Sequence, residues 1–172
     1  NIKVGLIGVG ALAEITHLVN LKENPNVTVD AIVDVDIERA KDIAAKHHIT
    51  NVFTTIDDMI VKTEVSAVIV STPNKTHIPI AKKAVKHSIN VFIEKPIGTN
   101  LDEVRSYLED AKKENIITMI GMTHRFRRDS TLLKEYMDNC TFGDVHYAKA
   151  KLYRQRGTPA GWFTNKELAG GG

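Results

Sequence analysis

Ile2-Lys3-Val4-Gly5-Leu6-Ile7-Gly8-Val9-Gly10-Ala11-Leu12-Ala13 is a short apolar run, rich in branched residues, that stops at Gly8 before a segment of helical pattern. Gly8, Gly10 and Ala13 match G-x-G-x-x-G/A, and each position has its own mechanical task. Gly8 permits a tight exit from the strand, and Gly10 removes a side chain where a pyrophosphate touches backbone. Ala13 keeps the next helix close to the sheet. Val9, Ala11 and Leu12 belong to the same turn, where the helix start offers free N–H groups and the positive end of its dipole to phosphates. Glycine collects in turns for many reasons. The reading therefore rests on the strands, helices and acidic residue downstream of the turn.

The 172 residues suffice for one full domain and part of another. Hydrophobic residues make up 42% and charged residues 26%, ordinary values for a globular chain. The longest apolar stretches, such as Ala67 to Val70, are strand-sized, far short of a bilayer span, so no membrane role is expected. Lys3, a short strand and a glycine turn do not read as a signal peptide. The 23 basic and 21 acidic residues are interspersed, whereas nucleic-acid binding calls for a one-sided basic surface. Cys140 is the single cysteine, which fits a reducing, cytoplasmic setting.

Ala11 to Glu23 carries apolar residues at Leu12, Ile15, Leu18, Val19 and Leu21, a helical stripe. Asn24-Pro25-Asn26 ends it, and Val27 to Val33 is a second strand ending in Asp34. A carboxylate at this place accepts hydrogen bonds from an adenosine ribose, although an aspartate after a strand is also a common cap. The order of motif, strand, helix, strand and acid favours the ribose reading. Such a carboxylate repels the extra phosphate of NADP, and Val35 beside it brings no charge. NAD is therefore the expected preference, with NADP left open if Arg39 folds back.

Asp36 caps a helix to about Lys46, and His47-His48 mark its end; no metal site is expected from them. Val52-Phe53 is a third strand, Asp57 begins a short helix, and Val65 to Val70 is a nearly all-apolar fourth strand. It runs into Ser71-Thr72-Pro73-Asn74-Lys75-Thr76-His77 and a helix from about Ile78 to Lys86. That loop suits a cofactor wall at the carboxyl edge of the sheet, and it equally suits plain turn chemistry. Ile89 to Ile93 is a fifth strand delivering Glu94-Lys95-Pro96 to the same edge. A lone lysine is commonly a solvated surface residue, but this one stands where successive strands aim their last residues at the crevice. A capping box at Asn100 to Glu103 starts the helix Leu101 to Glu114, and Ile116 to Gly121 is a sixth strand.

Six strands alternating with helices imply an α/β fold, a doubly wound parallel Rossmann sheet of order 3-2-1-4-5-6. Residues 1–123 form this dinucleotide-binding domain. Past it, His124 to Asp129 reads as a connector, Leu132 to Met137 as a helix and Val145 to Arg154 as a long strand. The expectation is that residues 124–172 open an α+β second domain that is incomplete in this chain.

These residues resemble the Gfo/Idh/MocA oxidoreductases, which include glucose-fructose oxidoreductase and inositol dehydrogenases. The resemblance covers essentially the whole chain, about the first half of a typical member. It rests on Gly8 to Ala13, Asp34, Thr72-Pro73-Asn74 with His77, Glu94-Lys95-Pro96, Arg125-Phe126, and Trp162 with Gly170-Gly171. Glu-Lys-Pro after the fifth strand, in order with the rest, is the most specific element. The resemblance implies a two-domain enzyme moving hydride between NAD or NADP and a sugar, inositol or related polyol. It implies Lys95 at the reacting centre, Thr72 to His77 along the nicotinamide side, Trp162 near the nicotinamide, and Arg125 in the cofactor set. It also implies a substrate domain through which the protein forms homo-oligomers. The family's D-x-x-x-H segment is expected after the glycine cluster and is not in this sequence. Turnover by this stretch alone is therefore not expected, and its proton-transfer residue is unassigned.

Two other readings share part of the pattern. A non-catalytic NAD(P)-binding or sensing protein would keep the turn and Asp34 without turnover. A methyltransferase using S-adenosylmethionine would share the glycine turn and the acid, but Glu94-Lys95-Pro96 and the expected second-domain strand argue against it.

Overall fold

The computed structural model describes residues 1–153 and 161–171. Strands β1 (Ile2–Ile7), β2 (Val27–Val33), β3 (Asn51–Phe53), β4 (Ala67–Val70), β5 (Asn90–Ile93) and β6 (Thr118–Ile120) form one sheet. Their order is β3-β2-β1-β4-β5-β6. Every pairing is parallel. This is the doubly wound order expected from the alternation of strands and helices.

A parallel sheet has to be covered on both faces, and two apolar clusters show that it is. One joins Leu6, Leu18, Ile32 and Ile43. The other joins Met59, Val70, Ala81, Ile93 and Tyr107. Three of the helices that supply these side chains start where side-chain acceptors meet free backbone N–H groups. Asp36 accepts from Arg39 N–H at the head of α2 (Ile37–His47), and Thr55 accepts from Asp58 N–H at the head of α3 (Ile56–Lys62). Helix α4 (His77–Lys86) follows a 3-10 turn at Asn74–Thr76. Asn100 accepts from both Asp102 and Glu103 N–H groups at the head of α5 (Leu101–Lys113).

Two elements depart from the sequence expectation. The first helix winds as a π-helix over Ala13–Leu18 before α1 (Val19–Glu23). Ala13 and Leu18, five residues apart, are both fully buried, which is the spacing of the wider turn. Leu12, Ile15 and Val19, expected on the buried stripe, point to solvent instead.

The tail differs more. Helix α6 (Arg128–Asp138) is longer than the Leu132 to Met137 segment expected. Residues 145–153 form no strand, and Arg154 at the end of the expected strand lies outside the described residues. A strand exists only through its ladder partner, and none of the described residues pairs with this segment. Further on, a 3-10 turn (Gly161–Thr164) and α7 (Lys166–Ala169) return to the sheet domain. Asn74 Nδ2 donates to Ala169 O at 2.9 Å, tying α7 to the loop after β4. No helix among the described residues is long and apolar enough to cross a membrane.

Candidate cofactor cleft and reactive edge

Where β1, β2 and β4 end, a cleft of about 480 Å³ opens. The β1 end contributes Ile7, Gly8 and Gly10, and the β2 end contributes Val33, Asp34, Val35 and Arg39. Ser71, Thr72 and Pro73 supply the opposing side, and Trp162 reaches it from the C-terminal segment. Gly8 has φ +84°, and a Cβ there would lie 2.5 Å from Ser71 O, so this position requires glycine. At Gly10 an added Cβ meets nothing within 4 Å, leaving the backbone bare toward open space. A bare backbone at a helix start beside an acid suits a pyrophosphate and its ribose.

Asp34 is almost fully buried and heavily used. Its Oδ2 accepts Val9 N–H at 2.8 Å. Its Oδ1 accepts Asp36 N–H at 2.9 Å and Arg39 Nη2 at 2.6 Å. Arg39 has therefore folded back, the arrangement that the sequence left open. The hydrogen bond that Arg39 donates to Asp34 raises the guanidinium pKa above its ordinary value. An ionised carboxylate has about four acceptor positions, so roughly one stays available for a ribose hydroxyl.

The loop after β4 is braced from within. Thr76 Oγ1 lies 2.8 Å from Thr72 Oγ1 and donates to Pro73 O at 2.7 Å. His77 is buried at 1% exposure, and its two ring nitrogens lie 2.8 Å from Pro96 O and from Thr72 O. Asn74 and His77, expected on the cofactor wall, are not among the residues that line the cleft; their polar atoms meet Ala169 O, Pro96 O and Thr72 O. Val9 and Ala13 are likewise buried and contribute backbone and packing, while the Ala11 and Leu12 side chains are exposed outside the cleft lining.

Beyond the cleft, β5 delivers Glu94, Lys95 and Pro96 to the edge, with Glu94 N–H donating to Val70 O at 2.9 Å. Lys95 is exposed, and Glu94 is buried. Glu94 Oε1 accepts His17 Nε2 at 2.9 Å, and Oε2 accepts Lys95 N–H at 3.3 Å. The His17 hydrogen bond holds the Glu94 carboxyl below the usual carboxylate range, against the opposing effect of burial. Arg125 stands apart from the cleft. It lines a shallower hollow of about 860 Å³ with Ser130, Lys134, Glu135 and Asp138 of α6.

Sequence reasoning missed His17, although its place four residues after Ala13 put it on the sheet side of the helix. It also missed Thr54, Thr55, Ile80 and Lys83 in the cleft lining. These last carry no motif: Thr54 and Thr55 read as turn residues after β3, and Ile80 and Lys83 as ordinary positions of α4.

A family model described as an oxidoreductase family with an NAD-binding Rossmann fold matches residues 2–122. The chain belongs to the Gfo/Idh/MocA oxidoreductase family. Among its relatives, the myo-inositol 2-dehydrogenase of Thermotoga maritima is 32% identical over 144 residues, covering 84% of this chain and 43% of the relative. The D-glucoside 3-dehydrogenase of Escherichia coli is 28% identical, covering 99% of this chain and 49% of the relative. A crystal structure of scyllo-inositol dehydrogenase from Lactobacillus casei, with bound NAD(H) and scyllo-inositol, superposes with a TM-score of 0.80. It is 25% identical, covering 84% of this chain and 43% of its own. The chain spans about half the length of the curated relatives it matches. In this Gfo/Idh/MocA chain, the six strands are the family's NAD-binding sheet.

Proposed function

We propose that this chain supplies the cofactor domain, residues 1–123, and the opening of the substrate domain, residues 124–172, of an NAD-dependent dehydrogenase. Its substrate class is a sugar, an inositol or a related polyol. The observation that carries this reading is the placement of Lys95 at the end of β5, on the carboxyl edge that also holds the Gly8 to Asp34 cleft. The names of the relatives give the substrate class, and the family match ending at residue 122 supports the division.

When bound, the nicotinamide accepts or returns a hydride at a substrate carbinol carbon. The chain's own residues bind and orient the two reactants. The Gly10 backbone and the helix start receive the pyrophosphate, and Asp34 takes the adenosine ribose. Ser71, Thr72 and Pro73 form the wall toward the reacting ring, closed by Trp162. The Lys95 ammonium stabilises negative charge on the substrate oxygen as the hydride leaves and a base takes up the hydroxyl proton.

Asp34 favours NAD through its remaining acceptor position. Arg39, paired with Asp34 and half exposed beside it, leaves weaker NADP binding open. The proposal extends to homo-oligomers formed through the second domain and to a cytoplasmic setting, the latter supported by the free, exposed Cys140.

The test is turnover of sugars and polyols by the whole protein carrying Lys95→Ala, with both cofactors titrated by fluorescence. Collapse of turnover with NAD binding retained, and NAD bound more tightly than NADP, is the expected result. Near-normal turnover in the variant overturns the role of Lys95, and tighter NADP binding overturns the cofactor preference.

A further inference from the structure

The residues on either side of Lys95 are each held by a histidine from another element. His77, at the start of α4, meets the Pro96 carbonyl, and His17, from the π-helix, meets the Glu94 side chain. The contact at Glu94 bears on catalysis.

The Glu94 carboxylate occupies a narrow slot. The Glu94 and His17 side chains are 10% and 12% exposed. On one side the His17 ring meets Phe92 edge to face, with centroids 5.7 Å apart. On another, Gly121 after β6 lies so close that an added Cβ would sit 3.0 Å from Glu94 Oε2. An ionised carboxylate only accepts, so His17 Nε2 carries the hydrogen and donates it. The other oxygen accepts the backbone N–H of Lys95. One carboxylate thus joins a helix side chain to the peptide unit from which Lys95 projects. The π-helical winding has a role in this: Ala13 and Leu18 bury at five-residue spacing, with His17 carried between them toward β5. Such insertions recur where a side chain has to be re-aimed for function.

Resting on the hydride-transfer reading, we propose that His17 is a positioning residue for Lys95. Its Nε2–H fixes the Glu94 carboxylate, and the carboxylate fixes the backbone that aims the lysine at the substrate oxygen. The chemistry asks for such a support, because an ammonium stabilises a developing oxyanion only when held at the right distance beforehand. Lys95 is exposed, with a long flexible stem, so its placement depends on the backbone beneath it.

The test compares His17→Ala and His17→Gln in the whole protein, with NAD and the polyol or sugar it oxidises fastest. Gln keeps an N–H donor at similar reach, and Ala removes it. His17→Ala should lower kcat about tenfold to a hundredfold while the Kd for NAD stays near the wild-type value. His17→Gln should recover most of the loss. A second readout needs no turnover: the Glu94 carboxyl carbon, followed by NMR, should titrate at a higher pH in His17→Ala than in the wild type. Wild-type kcat in His17→Ala, or His17→Gln as slow as His17→Ala, overturns the proposal, as does an unmoved Glu94 titration. If the wild-type protein oxidises no sugar or polyol, the hydride-transfer reading fails on its own, and the Glu94 titration still decides whether His17 controls the carboxylate.

Discussion

Asp34 Oδ2 accepts the backbone N–H of Val9 at 2.8 Å, so the acid that ends β2 holds the turn that ends β1. The same carboxylate takes Asp36 N–H and the Arg39 guanidinium. Asp34 is thus a structural part of the glycine turn itself, apart from the ribose role proposed for it. Asp34→Asn retains one acceptor oxygen and turns an amide N–H₂ toward donors. A buried donor left unpaired costs about 1–3 kcal/mol. The variant should therefore lose stability and NAD affinity together, as read by urea unfolding and by cofactor titration. Loss of affinity with unchanged stability would show that Asp34 serves the ribose alone.

Gly8 gives a sharper case of one residue decided by its surroundings. Its φ of +84° strains any side chain, and the added Cβ would press on Ser71 O and Thr72 Cγ2. The left-handed backbone alone costs a residue with a Cβ about 1–2 kcal/mol, and the contact with rigid backbone adds to it. Gly8→Ala should destabilise the domain by more than about 2 kcal/mol and abolish NAD binding. Gly10→Ala, with open space around the new methyl, should leave stability near wild type and weaken NAD alone. Thermal unfolding and cofactor titration of the two variants, side by side, check the contrast.

The sheet order, the cleft position and most strand ends were legible because they depend on local pattern: a strand-sized apolar run, a glycine turn, an acid, a cap. Asp36 and Asn100 cap the helices they were expected to cap. What was not legible depends on contacts distant in sequence. His17 and Glu94 are 77 residues apart, and nothing in either neighbourhood announces the other. The π-winding follows from packing Ala13 and Leu18 onto the sheet at once, a tertiary demand on a segment whose composition suits an α-helix. His77 follows a loop of the right composition for a cofactor wall, and nothing in that composition announces that its ring meets two backbone carbonyls. Val145 to Tyr153 alternates as a strand should, yet alternation cannot supply a pairing partner.

His77 braces two loops at once. Both ring nitrogens face backbone carbonyls, at Thr72 before the helix and at Pro96 after β5. His77→Phe keeps the ring and removes both hydrogen-bonding nitrogens. Unpaired buried polar groups cost about 1–3 kcal/mol each, so urea unfolding should show a loss in that range or above it. The loops on the two sides of the crevice edge should also loosen together. Hydrogen exchange at Thr76 and Lys95, whose N–H groups are bonded to Pro73 O and Glu94 Oε2, should speed up in the variant, while exchange in β1 and β2 stays slow. Faster exchange confined to the Thr72 side would show that the Pro96 contact contributes nothing.

Glu94 fixes the sign of one pH dependence. His17 donates to its carboxylate, and the Lys95 N–H and charge assist, so the folded-state pKa lies below the ordinary glutamate value. A group whose pKa falls on folding stabilises the native state fully above its unfolded pKa, about 4.3, and loses that contribution as pH drops through the folded value. Glu94→Gln cannot ionise and lacks the charge-assisted bond to His17. The stability gap between wild type and Glu94→Gln should therefore narrow as the pH falls below about 5 and the carboxylate takes up its proton. Urea unfolding of both proteins across this range measures it. A gap that holds its neutral-pH size down to about pH 3, well below the unfolded-state glutamate pKa, would mean that the His17 bond does not favour the ionised carboxylate.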